Sequence, residues 1–156
     1  MVEIGSAAPS FTLVDTTRTA TSLSDFAGKT VVLAFFPGAF TGVCTKEMCA
    51  IQDSMAAFNG LDASVVGISV DAPFANGEFA AKNKLTFPLL SDYTRTTIAN
   101  YGVELPNFAG LEGYVAAQRS VFVIDKSGVI RYTWIAENPG IEPDYAAILS
   151  VIQTIA

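Results

Sequence analysis

The chain has 156 residues, 51% hydrophobic and 15% charged, which suits one folded domain with a substantial core and excludes a disordered chain. Its formal net charge is −6 and its isoelectric point about 4.4, so nucleic acid and anionic membrane surfaces would be repelled. Two cysteines and no histidine exclude Ser-His and Cys-His catalysis and a Cys-His zinc site, and nothing in the composition calls for a metal or a cofactor.

Phe11 to Val14 and Thr21 to Leu23 read as a small N-terminal hairpin. Thr30 to Phe36 is a β-branched and aromatic run, a strand expected to be buried on both faces. Gly42 to Phe58 carries apolar residues near helical spacing (Val43, Met48, Ile51, Met55, Phe58) and is stopped by Asn59-Gly60. Ala63 to Val70 is a second buried strand. Pro73 opens a helix that reaches about Asn83. Phe87 to Leu90 is a short strand, and Tyr93 to Tyr101 a helix ended by Gly102. Glu104 to Val115 reads as a plain connection, although its Phe108 and Tyr114 are candidates to wall a site or a dimer contact. Ser120 to Asp125 and Val129 to Ile135 flank the hairpin signal Lys126-Ser127-Gly128, and Glu142 to Ile155 is a closing helix.

Strands alternating with helices before a final hairpin predict an α/β chain. Its mixed central sheet is flanked by helices and carries an N-terminal β-hairpin extension, all in a single domain over 1–156. The longest apolar run, Val31 to Phe40, is broken by Pro37 and Gly38 and falls short of the roughly 20 residues of a membrane span. Met1 to Gly5 shows neither a basic nor an apolar leader region, so a cytoplasmic protein is expected. In that compartment a cysteine pair is more often catalytic or redox-active than structural.

From Phe36 the sequence reads Phe-Pro-Gly-Ala-Phe-Thr-Gly-Val-Cys-Thr-Lys-Glu-Met-Cys. This places Cys44 in the first turn of the long helix, just past the carboxyl end of a central strand, where open α/β sheets bind small ligands. The partial positive charge of a helix N-terminus favours a thiolate there. Thr41 can cap the helix or turn its hydroxyl toward whatever Cys44 attacks, and Pro37 stiffens the approach. Cys49 follows five residues later. On a regular helix that offset turns the two side chains roughly 140° apart and separates them by about 7.5 Å along the axis. A disulfide needs Cα atoms within roughly 7 Å and converging side chains. The intact helix therefore cannot hold a Cys44–Cys49 bond, and forming one requires the turns around Cys44 to unwind. Among Met48, Ile51 and Met55, Cys49 also reads simply as a small buried hydrophobe. Taken alone, Arg119 reads as a surface residue at a strand end, and Glu47 as a helix carboxylate favoured by the dipole.

Pro37, Thr41 and Cys44 fit the Pro-x-x-x-Thr-x-x-Cys motif of the peroxiredoxins, thiol peroxidases on a decorated thioredoxin-like fold. Arg119-Ser-Val-Phe-Val-Ile-Asp125 resembles that family's second signature, and the order of elements fits from Gly5 to the last helix. Cys44-Thr-Lys-Glu-Met-Cys49 resembles the peroxiredoxin Q (bacterioferritin comigratory protein) group. That segment and Gly67-Ile-Ser-Val-Asp71 look most like its archaeal members.

The resemblance implies a role for each matching residue. Cys44 is the thiolate that attacks the peroxide, Thr41 hydrogen-bonds the peroxide, and Pro37 shields the site. Arg119 stabilises the thiolate and the charge on the leaving oxygen, and Glu47 pairs with Arg119 and orients it. Cys49 resolves the Cys44 sulfenic acid as an intramolecular disulfide, which a thioredoxin-like or other dithiol reduces. Dimers occur in the wider family, and an apolar surface near Cys44 would support a homodimer. A protein-disulfide oxidoreductase would usually carry Cys-x-x-Cys, which is absent between Val43 and Lys46. A redox-switched sensor or chaperone using the same cysteine pair stays open.

Overall fold

The computed structural model describes residues 2–155. Its centre is β3 (Thr30–Phe35), in which every residue is buried. The alternation of a strand splits this run between two layers. Val31, Leu33 and Phe35 pack with Ile98, Tyr101 and Phe122, while Val32, Ala34 and Phe36 pack with Met48, Ile51, Phe79 and Ile152. A run apolar on both faces thus becomes the middle of a three-layer sandwich.

Parallel to β3 lies β4 (Ala63–Ser69), and parallel to β4 lies β5 (Leu89–Ser91). On the other side β8 (Ser120–Ile124) runs antiparallel to β3, and β9 (Ile130–Ile135) antiparallel to β8. The hairpin β1 (Thr12–Val14) and β2 (Ala20–Ser22) joins the sheet rather than standing apart from it, because Val14 pairs with Ser91 of β5. The order is β2-β1-β5-β4-β3-β8-β9, a mixed seven-stranded sheet of the expected kind. Gly67 of β4 leaves space that neighbouring side chains fill: a Cβ there would meet Leu89 Cδ2 at 2.5 Å and Phe36 Cε1 at 3.4 Å.

Several expected boundaries move. The helix read over Gly42 to Phe58 is two helices, α1 (Gly42–Asp53) and α2 (Met55–Gly60). Ser54 leaves helical geometry between them at φ −95°, ψ 2°, a break that its weak helix propensity permits. Next comes α3 (Pro73–Lys82), close to expectation. The helix read from Tyr93 shrinks to α4 (Thr96–Asn100), because Arg95 sits in the left-handed region at φ 64°. The buried Asp92 carboxylate fixes this start by accepting the N–H groups of Thr97 at 3.2 Å and Ile98 at 2.8 Å.

The connection after α4 is structured. β6 (Glu104–Leu105) pairs with β7 (Ala116–Ala117) around a 3-10 turn at Phe108–Gly110. The closing helix α5 (Tyr145–Ile155) starts three residues later than read. Pro143 lies outside it, and Asp144 Oδ1 accepts the Ala147 N–H at 3.1 Å. No helix among the described residues is long and apolar enough to cross a membrane.

Candidate active site

The carboxyl ends of β3 and β4 and the amino end of β8 converge on the first turns of α1. Cys44 is the third residue of that helix and is fully buried. Arg119, immediately before β8, is also buried, at 1% exposure. The surface residue that its type alone suggests is therefore not what the fold makes of it. One guanidinium nitrogen, Nη2, donates to Cys44 Sγ at 3.2 Å and to the Pro139 carbonyl at 2.8 Å. Nη1 donates to Glu47 Oε1 at 2.8 Å, and Nε donates to Pro139 O at 3.1 Å. Cys44 and Glu47, three apart on α1, share one helix face and meet the same guanidinium.

The electrostatics follow from this burial. Loss of water raises the Glu47 carboxyl from 4.5 to about 7, with Arg119 opposing the rise and the nearby Glu142 adding to it. The other Glu47 oxygen, Oε2, is buried with no hydrogen-bond partner, which fits a carboxyl reluctant to ionise. Burial pulls Arg119 down, but the charges of Cys44 and Glu47 outweigh it and hold the guanidinium above its ordinary value.

A group raised on folding stabilises fully below its unfolded value, and that contribution fades as pH rises through its folded value. The natural protein should therefore lose stability between about pH 4.5 and 7 through Glu47. Glu47→Gln is expected to flatten that slope, on the order of 2–3 kcal/mol, in denaturant midpoints compared at pH 5 and pH 8.

Thr41 stands at the N-cap of α1, and its carbonyl accepts the Thr45 N–H at 3.0 Å. Its hydroxyl makes no cap. It donates to the Gly38 carbonyl at 2.8 Å, closing the turn that carries the loop into the helix. Pro37, at the start of that loop, is buried. Phe40 takes a left-handed φ of 67°, its ring half-exposed and edge-on to Phe79 at 5.2 Å. A Cβ on Gly38 would lie 3.6 Å from Phe108, so Phe108 does border this loop; Tyr114 instead lies against the Arg95 guanidinium at 5.2 Å.

Cys49 is not part of the cluster. It is half-buried, its Sγ lies 3.7 Å from Asn83 Oδ1 at the end of α3, and both cysteines are free. The structure thus joins Cys44, Glu47 and Arg119, sets Thr41 and Pro37 in the adjoining loop, and leaves Cys49 on another side of α1. Pro139 was not legible in the sequence, since it acts through a backbone oxygen that any residue carries.

The chain matches the family model described as the AhpC/TSA family over residues 4–133. It is 43% identical over 133 residues to a chloroplastic peroxiredoxin Q of Oryza sativa subsp. japonica, covering 85% of this chain and 59% of that one. A Coxiella burnetii protein bearing the name peroxiredoxin bcp is 38% identical over 133 residues, 85% of this chain and 88% of its own. The crystal structure of peroxidoxin BcpB from Mycobacterium tuberculosis superposes with a TM-score of 0.88 at 31% identity, covering 100% of this chain and 99% of the other. The chain spans about three fifths of the length of the plant relative. The fold is thioredoxin-like, and with a match running through both the Cys44 helix and the Arg119 strand, the chain belongs to the AhpC/TSA family.

Proposed function

We propose that the protein is a peroxiredoxin, a thiol-dependent peroxidase that reduces hydrogen peroxide and organic hydroperoxides. The observation that carries this reading is the contact of Arg119 Nη2 with Cys44 Sγ at 3.2 Å in the first turn of α1. A buried guanidinium there stabilises a sulfur anion and has further donors to offer an incoming oxygen.

In the cycle, the Cys44 thiolate attacks one peroxide oxygen and the O–O bond breaks. Sulfur is oxidised to a sulfenic acid, and the other oxygen leaves as water or an alcohol after taking a proton. Thr41 rotates its hydroxyl from Gly38 to hold the peroxide, Pro37 limits water around it, and Arg119, oriented by Glu47, balances the charge on the leaving oxygen. The Cys49 sulfur then attacks the sulfenic sulfur, an S–S bond forms and water leaves. A thioredoxin-like or other dithiol returns both cysteines to thiols and is itself oxidised to a disulfide. Such cycling fits a compartment that supplies dithiols, such as the cytoplasm. The half-exposed Phe40 ring beside Thr41 supports a homodimer that covers it.

The test is consumption of hydrogen peroxide by the natural protein with dithiothreitol as the dithiol. Many turnovers per chain are expected, with a disulfide forming in each. Oxidation of the pair without turnover would bring forward the redox-switched sensor or chaperone, and no reaction of Cys44 at all would overturn the reading.

A further inference from the structure

We propose that Asp71 is a positioning residue that latches the Cys44 loop to the central sheet and thereby sets how readily that loop opens. Its catalytic consequence rests on the peroxidase reading; the latch itself does not.

Asp71 lies just past the carboxyl end of β4, the strand beside β3, and so at the same end of the sheet as Cys44. One of its carboxylate oxygens, Oδ2, accepts the Ala39 N–H at 2.8 Å. Between Phe36, whose N–H still bonds to Ile68 of β4, and the start of α1, this is the one hydrogen bond among the described residues that ties the loop to the strand ends of the sheet. The others run from Thr41 to Gly38 within the loop, or from Thr45 to the Thr41 carbonyl where the loop enters α1, the turn that itself must unwind.

The anchor point is itself fixed. The Asp71 N–H donates to Ser69 Oγ at 3.2 Å, and Ser91 Oγ donates to the Asp71 carbonyl. Ser69 also donates to Asn76 Oδ1 at 3.2 Å, and Ser69, Ser91 and Asn76 are fully buried. Two adjacent strands and α3 thus hold one carboxylate in place.

The loop has something to be held against. Phe40, next to Ala39, occupies a left-handed conformation that disfavours a side chain, and the loop leads directly into the turn that must unwind for Cys44 to reach Cys49. A hydrogen bond to an ionised acceptor is stronger than a neutral one, so one such bond can shift a local opening equilibrium about tenfold.

The test needs no peroxide. Cys44 is fully buried, so iodoacetamide reaches it only when the loop opens. Cleavage after Lys46 puts Cys44 and Cys49 on separate tryptic peptides, so the two alkylation rates are read independently. In the reduced full-length chain, Asp71→Ala is expected to raise Cys44 alkylation about tenfold while leaving Cys49 unchanged. Asp71→Asn keeps an acceptor oxygen and should stay within about threefold of the natural rate.

With peroxide, Cys44 oxidation should slow about tenfold in Asp71→Ala and recover in Asp71→Asn. Unchanged Cys44 alkylation in Asp71→Ala, equal acceleration at Cys49, or an Asp71→Asn no better than alanine would each overturn the latch. Should Asp71→Ala not fold, hydrogen exchange in the natural protein decides, because a fast-exchanging Ala39 amide contradicts the latch. A natural protein inert to peroxide would end the peroxidase reading, and alkylation would still judge Asp71.

Discussion

Cys44→Ser is expected to abolish peroxide turnover, and Cys49→Ser to consume one equivalent of peroxide per chain and then stall with Cys44 as a sulfenic acid. The first outcome follows because a serine hydroxyl is no nucleophile at neutral pH, while a thiolate is. The second follows from the helix. In α1 the Cys44 sulfur faces Arg119, and the Cys49 sulfur faces Asn83 on α3. Their meeting breaks the bond from the Thr45 N–H to the Thr41 carbonyl, withdraws Cys44 from Arg119 and turns the first turns of α1 to coil.

Beyond Cys49 the helix is held by Gln52, whose amide both donates to Thr86 Oγ1 at 2.9 Å and accepts the Thr86 N–H at 2.8 Å. Unwinding should stop at that clamp. Hydrogen exchange on the oxidised protein is expected to show lost protection over residues 41–49 and kept protection from Gln52 onward. Dimedone labelling of Cys44 checks the stalled variant. Full turnover by Cys49→Ser would make Cys49 a packing residue and the enzyme a one-cysteine peroxidase.

The sequence was most informative where one residue type had one physical solution. Six consecutive apolar or β-branched residues at Thr30–Phe35 require cover on both faces, and the sheet centre follows. Cys44 after a Pro-Gly loop reads as a helix start, whereas Glu47 alone reads as a plain helix carboxylate and only the family pattern pairs it with Arg119. Arg119 was no more legible. Nothing in an arginine's own chemistry forecasts 1% exposure, and only the family pattern placed it at the site. The boundaries that moved were decided by tertiary bonds: Asp92 on the N–H groups of Thr97 and Ile98 shortened α4, and Asp144 delayed α5. Backbone partners such as the Pro139 carbonyl have no sequence signature at all, because every residue carries that oxygen. Asp71 had a partial one, an acidic residue at the end of a buried strand, but its partner is a loop amide that only the fold brings near.

Arg119→Met keeps most of the side-chain volume and removes every donor, and it is expected to slow oxidation of Cys44 by about 10²–10³-fold, the usual cost of deleting a preorganised group from a developing charge. The loss should fall on the second-order rate constant with peroxide, measured by stopped flow, because the guanidinium acts before any intermediate exists. Stability should fall too, and in a pH-dependent way that separates electrostatics from packing. With Arg119 gone, Glu47 is a buried carboxyl without its cation, so its folded value rises further above about 7. Below about pH 4.5 the carboxyl is protonated in both the folded and the unfolded chain, and the variant pays only for lost packing and the orphaned Pro139 carbonyl. Between about pH 4.5 and 7 the folded natural protein also holds this carboxyl neutral. The deficit therefore grows only above about pH 7, where the natural protein ionises and the variant does not, by about 1–2 kcal/mol at pH 8. Adding Glu47→Gln to Arg119→Met should remove most of that growth without restoring the rate. A pH-independent deficit in Arg119→Met would mean that Glu47 carries no charge in the folded protein at any of these pH values, and the Glu47–Arg119 contact would then orient the guanidinium as a hydrogen bond alone.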